Sequence, residues 1–380
     1  MRVLVTGNMG YVGPVVARHL RAEFPEAEIV GFDLGLFAPA LTTGGPLPET
    51  VLDAQFFGDV RDLPPSLLRG VDAVVHLAAI SNDPMGHRFE AVTGAINHEA
   101  SVALAAAAQR AGVRHFAFAS SCSVYGASDG SPRREGDPVA PLTAYARSKV
   151  ATEEALLALP RSAMTITCLR FATACGFSPR LRLDLVLNDF VASALTTSEV
   201  AVLSDGTPWR PLIHVADMAR AIEWAITRDA GDLIVINAGS DDWNYSVRDL
   251  ADAVAADMPG VSVNINSAAP PDRRSYKVDF SLYCSLAPNH QPRFTLKATV
   301  NELATGLRLL GFADREFRRS RLVRLHFLTA LIDEGHLSPD LRWSKAPQHR
   351  PASSFDPSFV PGQESNTTAR SCALIYPDVR

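Results

Sequence analysis

RVLVTGNMGYVGPVVARHL, residues 2–20, decides the fold. RVLVT reads as a buried strand, and it runs directly into TGNMGYVG (6–13), whose glycines at 7, 10 and 13 precede a helical pattern. In a strand-turn-helix unit of this kind the glycines let the backbone bend tightly, approach a pyrophosphate, and pack helix against strand. The helix N-terminus then presents free N–H groups to the phosphates. Pro14 falls in the first helical turn, where its missing N–H costs little. Glycine spacing alone says little; the strand before it and the helix after it give the dinucleotide reading its force.

Moving outward, EIVGF (28–32) reads as the second strand and ends at Asp33, twenty residues after Gly13. A carboxylate there accepts hydrogen bonds from an adenosine ribose diol and repels a 2′-phosphate, so NAD is expected rather than NADP. Leu34 follows it, not an arginine that would rescue NADP. QFFGD (55–59), VDAVVHL (71–77), HFAFAS (115–120) and MTITCLR (164–170) read as further strands, with Asp59 and Val60 placed to flank adenine. Helical patterns at 97–112 and 144–159 lie between them. This alternation predicts an α/β fold, a doubly wound parallel Rossmann sheet with right-handed crossovers. DLIVINAG (232–239) reads as a late strand returning to the sheet. The expected organisation is a Rossmann domain at 1–175 plus about 211–239, and a smaller, discontinuous substrate lobe at about 176–210 and 240–344. From about Lys345 the chain is rich in Pro, Ser, Thr, Asn and Gln without periodicity, and a mobile tail is expected.

Composition narrows the class. The 380 residues are 47% hydrophobic and 20% charged, the balance of an ordinary globular protein. A net charge of -5 gives no electrostatic case for nucleic acid or an anionic membrane. The five cysteines include no CxxC pair and are odd in number, so neither a zinc site nor a disulfide framework is expected, and a reducing cytoplasm fits best. No leader pattern and no apolar run of membrane-spanning length is read in the chain.

Chemistry enters at two places. ASSCSVYG (119–126) crowds three serines and a cysteine at a strand tip. YARSK (145–149) puts Tyr145 and Lys149 at i and i+4, on one helix face. A free tyrosine, with a pKa near about 10, is a poor base at neutral pH. A nearby ammonium stabilises its phenolate, which can then take a proton from a hydroxyl while hydride leaves the same carbon for nicotinamide.

With TGNMGYVG, Asp33, HLAA (76–79), Asn97, SSCSVYG, YARSK and RPLIHVADMA (210–219) in this order, the chain resembles the extended short-chain dehydrogenase/reductase family over roughly residues 1–340. Its closest branch in motif is the NAD-dependent sugar-nucleotide epimerases and dehydratases. The resemblance implies a catalytic set of Ser121, Tyr145 and Lys149. It implies that Gly7, Met9, Gly10, Tyr11, Val12, Gly13, Asp33, Leu34, Asp59, Val60, Leu77, Ala78, Ala79 and Phe171 surround NAD together with Tyr145 and Lys149. Ala119, standing in place of a serine, and Asn97, bracing the active-site strand, belong to the same set. A nucleotide-diphosphate sugar is the implied substrate, its diphosphate held by Asn188, Arg210 and Arg274, since an arginine fork donates paired hydrogen bonds to phosphate oxygens. Ser81, Asn82, Cys122, Ser123 and Thr173 are placed beside the sugar. The family's frequent dimerisation through the Asn97 and Tyr145 helices implies a homodimer.

Departures from the pattern bear on substrate and reaction. Thr173 stands where many members carry Asn, and Pro211 replaces an acidic residue in RPLIH. Arg180 and Arg182 in SPRLRLD (178–184) receive no role. His214 reads as a packing residue rather than a base, His87 as a solvated loop histidine, and Cys168 and Cys175 as buried and inert. In the family's 4,6-dehydratases an Asp-Glu pair follows the catalytic hydroxyl; here Cys122 and Ser123 occupy those positions, and neither is a ready acid or base at neutral pH. The cysteine follows Ser121 by one residue, not by the two of members that epimerise C3 or C5. The leading expectation is therefore a C4 epimerase working through a transient 4-keto sugar, and the alternative is a C4 dehydrogenase or ketoreductase with net redox. A non-catalytic dinucleotide sensor on the same fold is disfavoured because Tyr145 and Lys149 are both retained.

Overall fold

Seven short, almost wholly apolar segments build the central sheet of the computed structural model, which describes residues 1–344 apart from 129, 161, 229 and 270–273. The expected tail from about Lys345 lies outside the described residues. The strands are β1 (Arg2–Thr6), β2 (Glu28–Asp33), β3 (Ala54–Phe57), β4 (Ala73–His76), β5 (His115–Ser121), β6 (Thr165–Phe171), β7 (Thr173–Cys175), β8 (Glu199–Val202), β9 (Trp209–His214), β10 (Leu233–Ala238), β11 (Asn244–Ser246) and β12 (Ser262–Ile265). The large sheet runs β10-β6-β5-β4-β1-β2-β3, every neighbouring pair parallel. Parallel strands joined by helices are covered on both faces, which is why β4 and β6 are buried at every position. The late strand β10 pairs with β6, as DLIVINAG leads one to expect. Chain order reverses between β1 and β4, and such a switch point opens a crevice at the carboxyl ends of the strands.

The helices are α1 (Gly13–Glu23), α2 (Asp83–Arg88), α3 (Glu90–Gly94), α4 (Ser101–Arg110), α5 (Ala144–Leu157), α6 (Val186–Thr197), α7 (Val215–Thr227), α8 (Val247–Asp257), α9 (Ser281–Leu286), α10 (Leu296–Leu309) and α11 (Arg324–Asp333). The stretch after β4 was expected as a loop. It holds α2, because the Asn82 side chain accepts the Met85 N–H at 2.9 Å and caps the turn. The helix expected from residue 97 begins at Glu90 and passes through a π-helical segment at Ala95–Ala100 before α4. On α4, Leu104, Ala105 and Ala108 pack with Phe116 and Phe118 of β5, and the small alanines bring the helix close to the sheet.

Two smaller sheets, β11-β9-β7 and β12-β8, come from the second half of the chain. A buried charge network locks β5, β6 and α5 together beneath the strand tips. Glu153 accepts two bonds from the Arg170 fork (2.7 Å at the closest) and one from the Ser120 hydroxyl. Arg170 also donates to the Tyr125 hydroxyl at 3.0 Å, and that hydroxyl donates to Asn237 Oδ1 at 2.7 Å. Among the described residues no helix is long and apolar enough to cross a membrane.

Candidate active site

At the carboxyl ends of β1, β2, β4, β5 and β6 lies a cavity of about 760 Å3 that extends from the glycine turn to Tyr145. The turn is shaped by contact. Gly7 has φ +76°, and a Cβ there would lie 2.5 Å from Ala78 N, so the chain passes directly against the backbone after β4. At Gly10 a Cβ would meet only Gly7 O, at 3.2 Å, and would otherwise fill the cavity. Helix α1 starts behind this turn with no side-chain cap at Val12 and no acidic residue in its first turn, leaving its positive end uncompensated. Tyr11 fixes the turn from the other side, its hydroxyl donating to Gly176 O at 2.6 Å.

The acidic residues at the adjoining strand ends are held by neighbours. Asp33 accepts from Met9 N–H (2.9 Å) and Gly35 N–H (2.7 Å). Burial pushes its carboxyl above the usual range, and these two amides oppose the rise. An ionised carboxylate has about four acceptor sites, so two amides leave capacity for a ligand's hydroxyls. Burial also works against the ionised form of Asp59, but the Arg61 fork and Arg342 overcome it and hold the group below its ordinary value.

Toward the other end, the parallel register of β5 and β6 sets Ser121 beside Phe171. Ser121 Oγ accepts the Ser123 N–H at 3.2 Å and lines the cavity together with the Tyr145 phenol. Burial raises the phenol to about 12, and the neighbouring Ser121 hydroxyl opposes this. Lys149 lies one helical turn below, its Nζ donating to Ala119 O at 2.7 Å and 5.7 Å from the centre of the Tyr145 ring. Burial lowers the ammonium to about 8, while the charge of Glu153 supports it. The helix spacing read from YARSK thus produces a face shared by the phenol and the ammonium, with the β5 tip as its counterpart.

Most residues expected at the site line this cavity: Gly7, Gly10, Tyr11, Val12 and Gly13 of the turn, Asp33, Leu34, Asp59 and Val60, Leu77 to Ala79, Ala119, Ser121, Ser123, Tyr145, Lys149, Phe171, Thr173, Ser81, Asn82, Arg210 and Arg274. Four do not reach it, which corrects their expected contacts. Met9 is turned inward and offers only its amide, to Asp33. Asn97 is fully buried and joins both backbone groups of Ile80 to the Ser148 hydroxyl. Asn188 spends its amide on Gly176 N–H, Tyr11 and Arg182 O, so nothing remains for a diphosphate. Cys122 points its thiol to Arg170 O, away from the cavity.

Several groups without a role in the motif reading are brought to the wall by the fold. Arg182 forks onto Asp184 (2.9 and 3.0 Å) and donates to Ser81 at 2.9 Å; Asn82 donates to Asp184 as well. Asp83 receives Thr143 (2.6 Å) and Arg274 (2.7 Å), joining the start of α2 to the residue that caps α5 and to the chain at Arg274. Arg318 and Arg324, from near the end of the described chain, also line the cavity. His214 caps α7, stacks on Phe294 at 3.6 Å and meets Glu302 at 2.7 Å, so it packs as expected; His87 is exposed on α2. Cys168 and Cys175 are buried.

Comparison with known proteins identifies the family. The model of the NAD dependent epimerase/dehydratase family matches residues 3–239. A UDP-glucose 4-epimerase of Corynebacterium glutamicum is 28% identical over 274 residues, covering 66% of this chain and 79% of the relative. A dTDP-glucose 4,6-dehydratase of Streptomyces griseus is 30% identical over 289 residues, covering 73% and 85%. Among solved structures, MoeE5 in complex with UDP-glucuronic acid and NAD superposes with a TM-score of 0.70 at 27% identity, covering 81% of this chain and 99% of that one.

Proposed function

The chain belongs to the NAD dependent epimerase/dehydratase family, and from that premise we propose that it is a C4 epimerase of a nucleotide-diphosphate sugar. NAD fits the residues present: the cradle at Gly10, the uncompensated start of α1 and the carboxylate of Asp33 suit pyrophosphate and ribose in turn. Leu77 to Ala79 and Phe171 continue the same wall toward Tyr145. When bound, NAD supplies a hydride acceptor and, in its oxidised form, a positive charge.

The chain's own part is proton transfer and orientation. Tyr145 takes the proton of the sugar's C4 hydroxyl and returns it after the 4-keto sugar has presented its other face. Ser121, which lines the cavity with the phenol, is suited to hydrogen-bond the same oxygen. Lys149 supplies the nearby positive charge that a buried phenolate needs. Arg210 and Arg274 are suited to the substrate diphosphate. The observation that carries epimerisation over water loss is the arrangement after Ser121. Cys122 is buried with its thiol on Arg170 O, and Ser123 alone faces the cavity, so no Asp-Glu pair is available for elimination. The carboxylates nearest the phenol are already committed, Asp83 to Thr143 and Arg274, Asp184 to Arg182 and Asn82.

The test is incubation of the purified protein with UDP-, GDP- and dTDP-sugars, followed by mass-resolved chromatography. An epimer of unchanged mass is expected, and Tyr145→Phe should slow its formation by about 10²- to 10⁴-fold while NAD binding persists. A product lighter by water would make the protein a dehydratase. A product lighter by about two hydrogens, formed with matching reduced coenzyme, would make it a net C4 oxidoreductase.

A further inference from the structure

Arg324 opens α11 and is 1% exposed, yet it lines the cavity. Its Nη2 donates to Arg180 O at 2.9 Å, and its guanidinium lies 4.1 Å from the centre of the Phe37 ring. Its Nη1 has no hydrogen-bond partner among the described residues. The two arginines beside it are each neutralised: Arg180 forks onto Glu49 at 2.6 and 3.1 Å, and Arg182 onto Asp184. Arg182 on this wall and Arg180 beside it each have a carboxylate partner, whereas Arg324 forms no ion pair among the described residues. A buried charge without a partner is strongly disfavoured, so an anion is the group this position calls for. Burial and the charges of Arg182 and Arg180 lower the Arg324 guanidinium to about 9, opposed by Asp184 and Asp33.

Position decides which anion. Phe37 belongs to the loop that follows Asp33 at the end of β2, and Arg180 Nε donates to Phe37 O at 3.2 Å. The same C-terminal segment fastens that loop again, with Trp343 Nε1 donating to Leu34 O at 2.7 Å, while Arg342 reaches Asp62 in the turn after β3 at 2.5 Å. Arg324 is thus held beside the loop after Asp33, on the coenzyme half of the cavity. The acidic groups at Asp33 and Asp59 exclude a phosphate at the adenosine ribose or adenine. The remaining anion of a dinucleotide is its diphosphate, which the amides at the start of α1 meet from one side without a full positive charge.

We infer that Arg324 is a ligand of the coenzyme diphosphate, its guanidinium brought to the cavity beside the loop after β2 from the far end of the described chain. This rests on the family's NAD and not on the choice of reaction, so its failure would leave the epimerase reading untouched.

The test uses the full chain with Arg324→Gln and Arg324→Lys, titrated calorimetrically with NAD, ADP-ribose, adenosine and UDP. Arg324→Gln is expected to weaken NAD and ADP-ribose by about 10- to 100-fold, the range of a charge-assisted hydrogen bond, and Arg324→Lys by less. Adenosine, which lacks the diphosphate, and UDP, which occupies the substrate side, should bind unchanged. The thermal shift on adding NAD should shrink in parallel. Unchanged NAD and ADP-ribose affinity would overturn the inference. A loss confined to UDP would move Arg324 to the substrate, and unfolding of both variants without ligand would make it a structural residue; either overturns it too.

Discussion

Lys149→Met should remove a pH dependence of stability that the wild-type chain carries. The Lys149 ammonium is buried, and desolvation lowers it from 10.5 to about 8. Below pH 8 both the folded and unfolded chains hold this proton, but the folded chain holds it at a cost. Between about 8 and 10.5 the unfolded chain binds more protons than the folded one, so stability rises with pH. Evaluating the linkage relation with these two values gives a penalty of about 3 kcal/mol at pH 7 and about 1 kcal/mol at pH 10. The difference in unfolding free energy between wild type and Lys149→Met should therefore change by about 2 kcal/mol over that interval, in favour of the wild type at high pH. Comparing differences matters, because the lost bond to Ala119 O and the lost contact with the Phe118 ring shift the variant by a pH-independent amount. Other groups that titrate in this range are common to both chains and cancel. Urea unfolding of both proteins without coenzyme at pH 7, 8, 9 and 10 measures it. A difference that stays constant with pH would refute the reasoning, showing that Lys149 is hydrated in solution and carries no desolvation cost. The physical content is functional: the chain tolerates a poorly solvated cation because a buried phenol requires one close by.

Two further outcomes follow from buried geometry. Glu153→Leu leaves the Arg170 guanidinium without its carboxylate in a site where the arginine side chain is 8% exposed; urea unfolding should show a loss of about 3–5 kcal/mol, largely recovered when Arg170→Met is added. Gly7→Ala forces a side chain onto φ +76° and within 2.5 Å of Ala78 N, so thermal unfolding and NAD titration should both show weakening of about 1–3 kcal/mol, and an unchanged NAD affinity would separate the turn from the coenzyme.

Much of the coenzyme half was legible in the sequence because it is written locally. The glycine turn, the carboxylate at the end of β2 and the Tyr145-Lys149 pair each depend on a few neighbouring residues and on the fixed periods of strand and helix. The strands expected at 2–6, 28–32, 115–120 and 164–170 are present with ends shifted by at most one residue. Asn188 and Cys122 were misplaced for a different reason: their motif positions are right, but a side chain's direction depends on what packs against it. Asn188 is drawn inward by Gly176, Tyr11 and Arg182, and Cys122 by the Arg170 carbonyl. The α2 helix was missed because Asn82 serves as its cap only once the loop is seated.

By itself the sequence determined that a parallel α/β sheet forms, where a tight glycine turn joins its first strand to a helix, and which helix face carries phenol and ammonium, since hydrophobic periodicity and glycine-permitted backbone act over a few residues. Only the tertiary structure decided that Arg182 and Asp184 stand beside Ser81, that Asp83 is bridged to Arg274, and that Arg324 arrives unpaired at the loop after β2. Those groups are far apart along the chain, and whether a guanidinium ends in an ion pair, in water or facing an anion is settled by burial and by its neighbours in space.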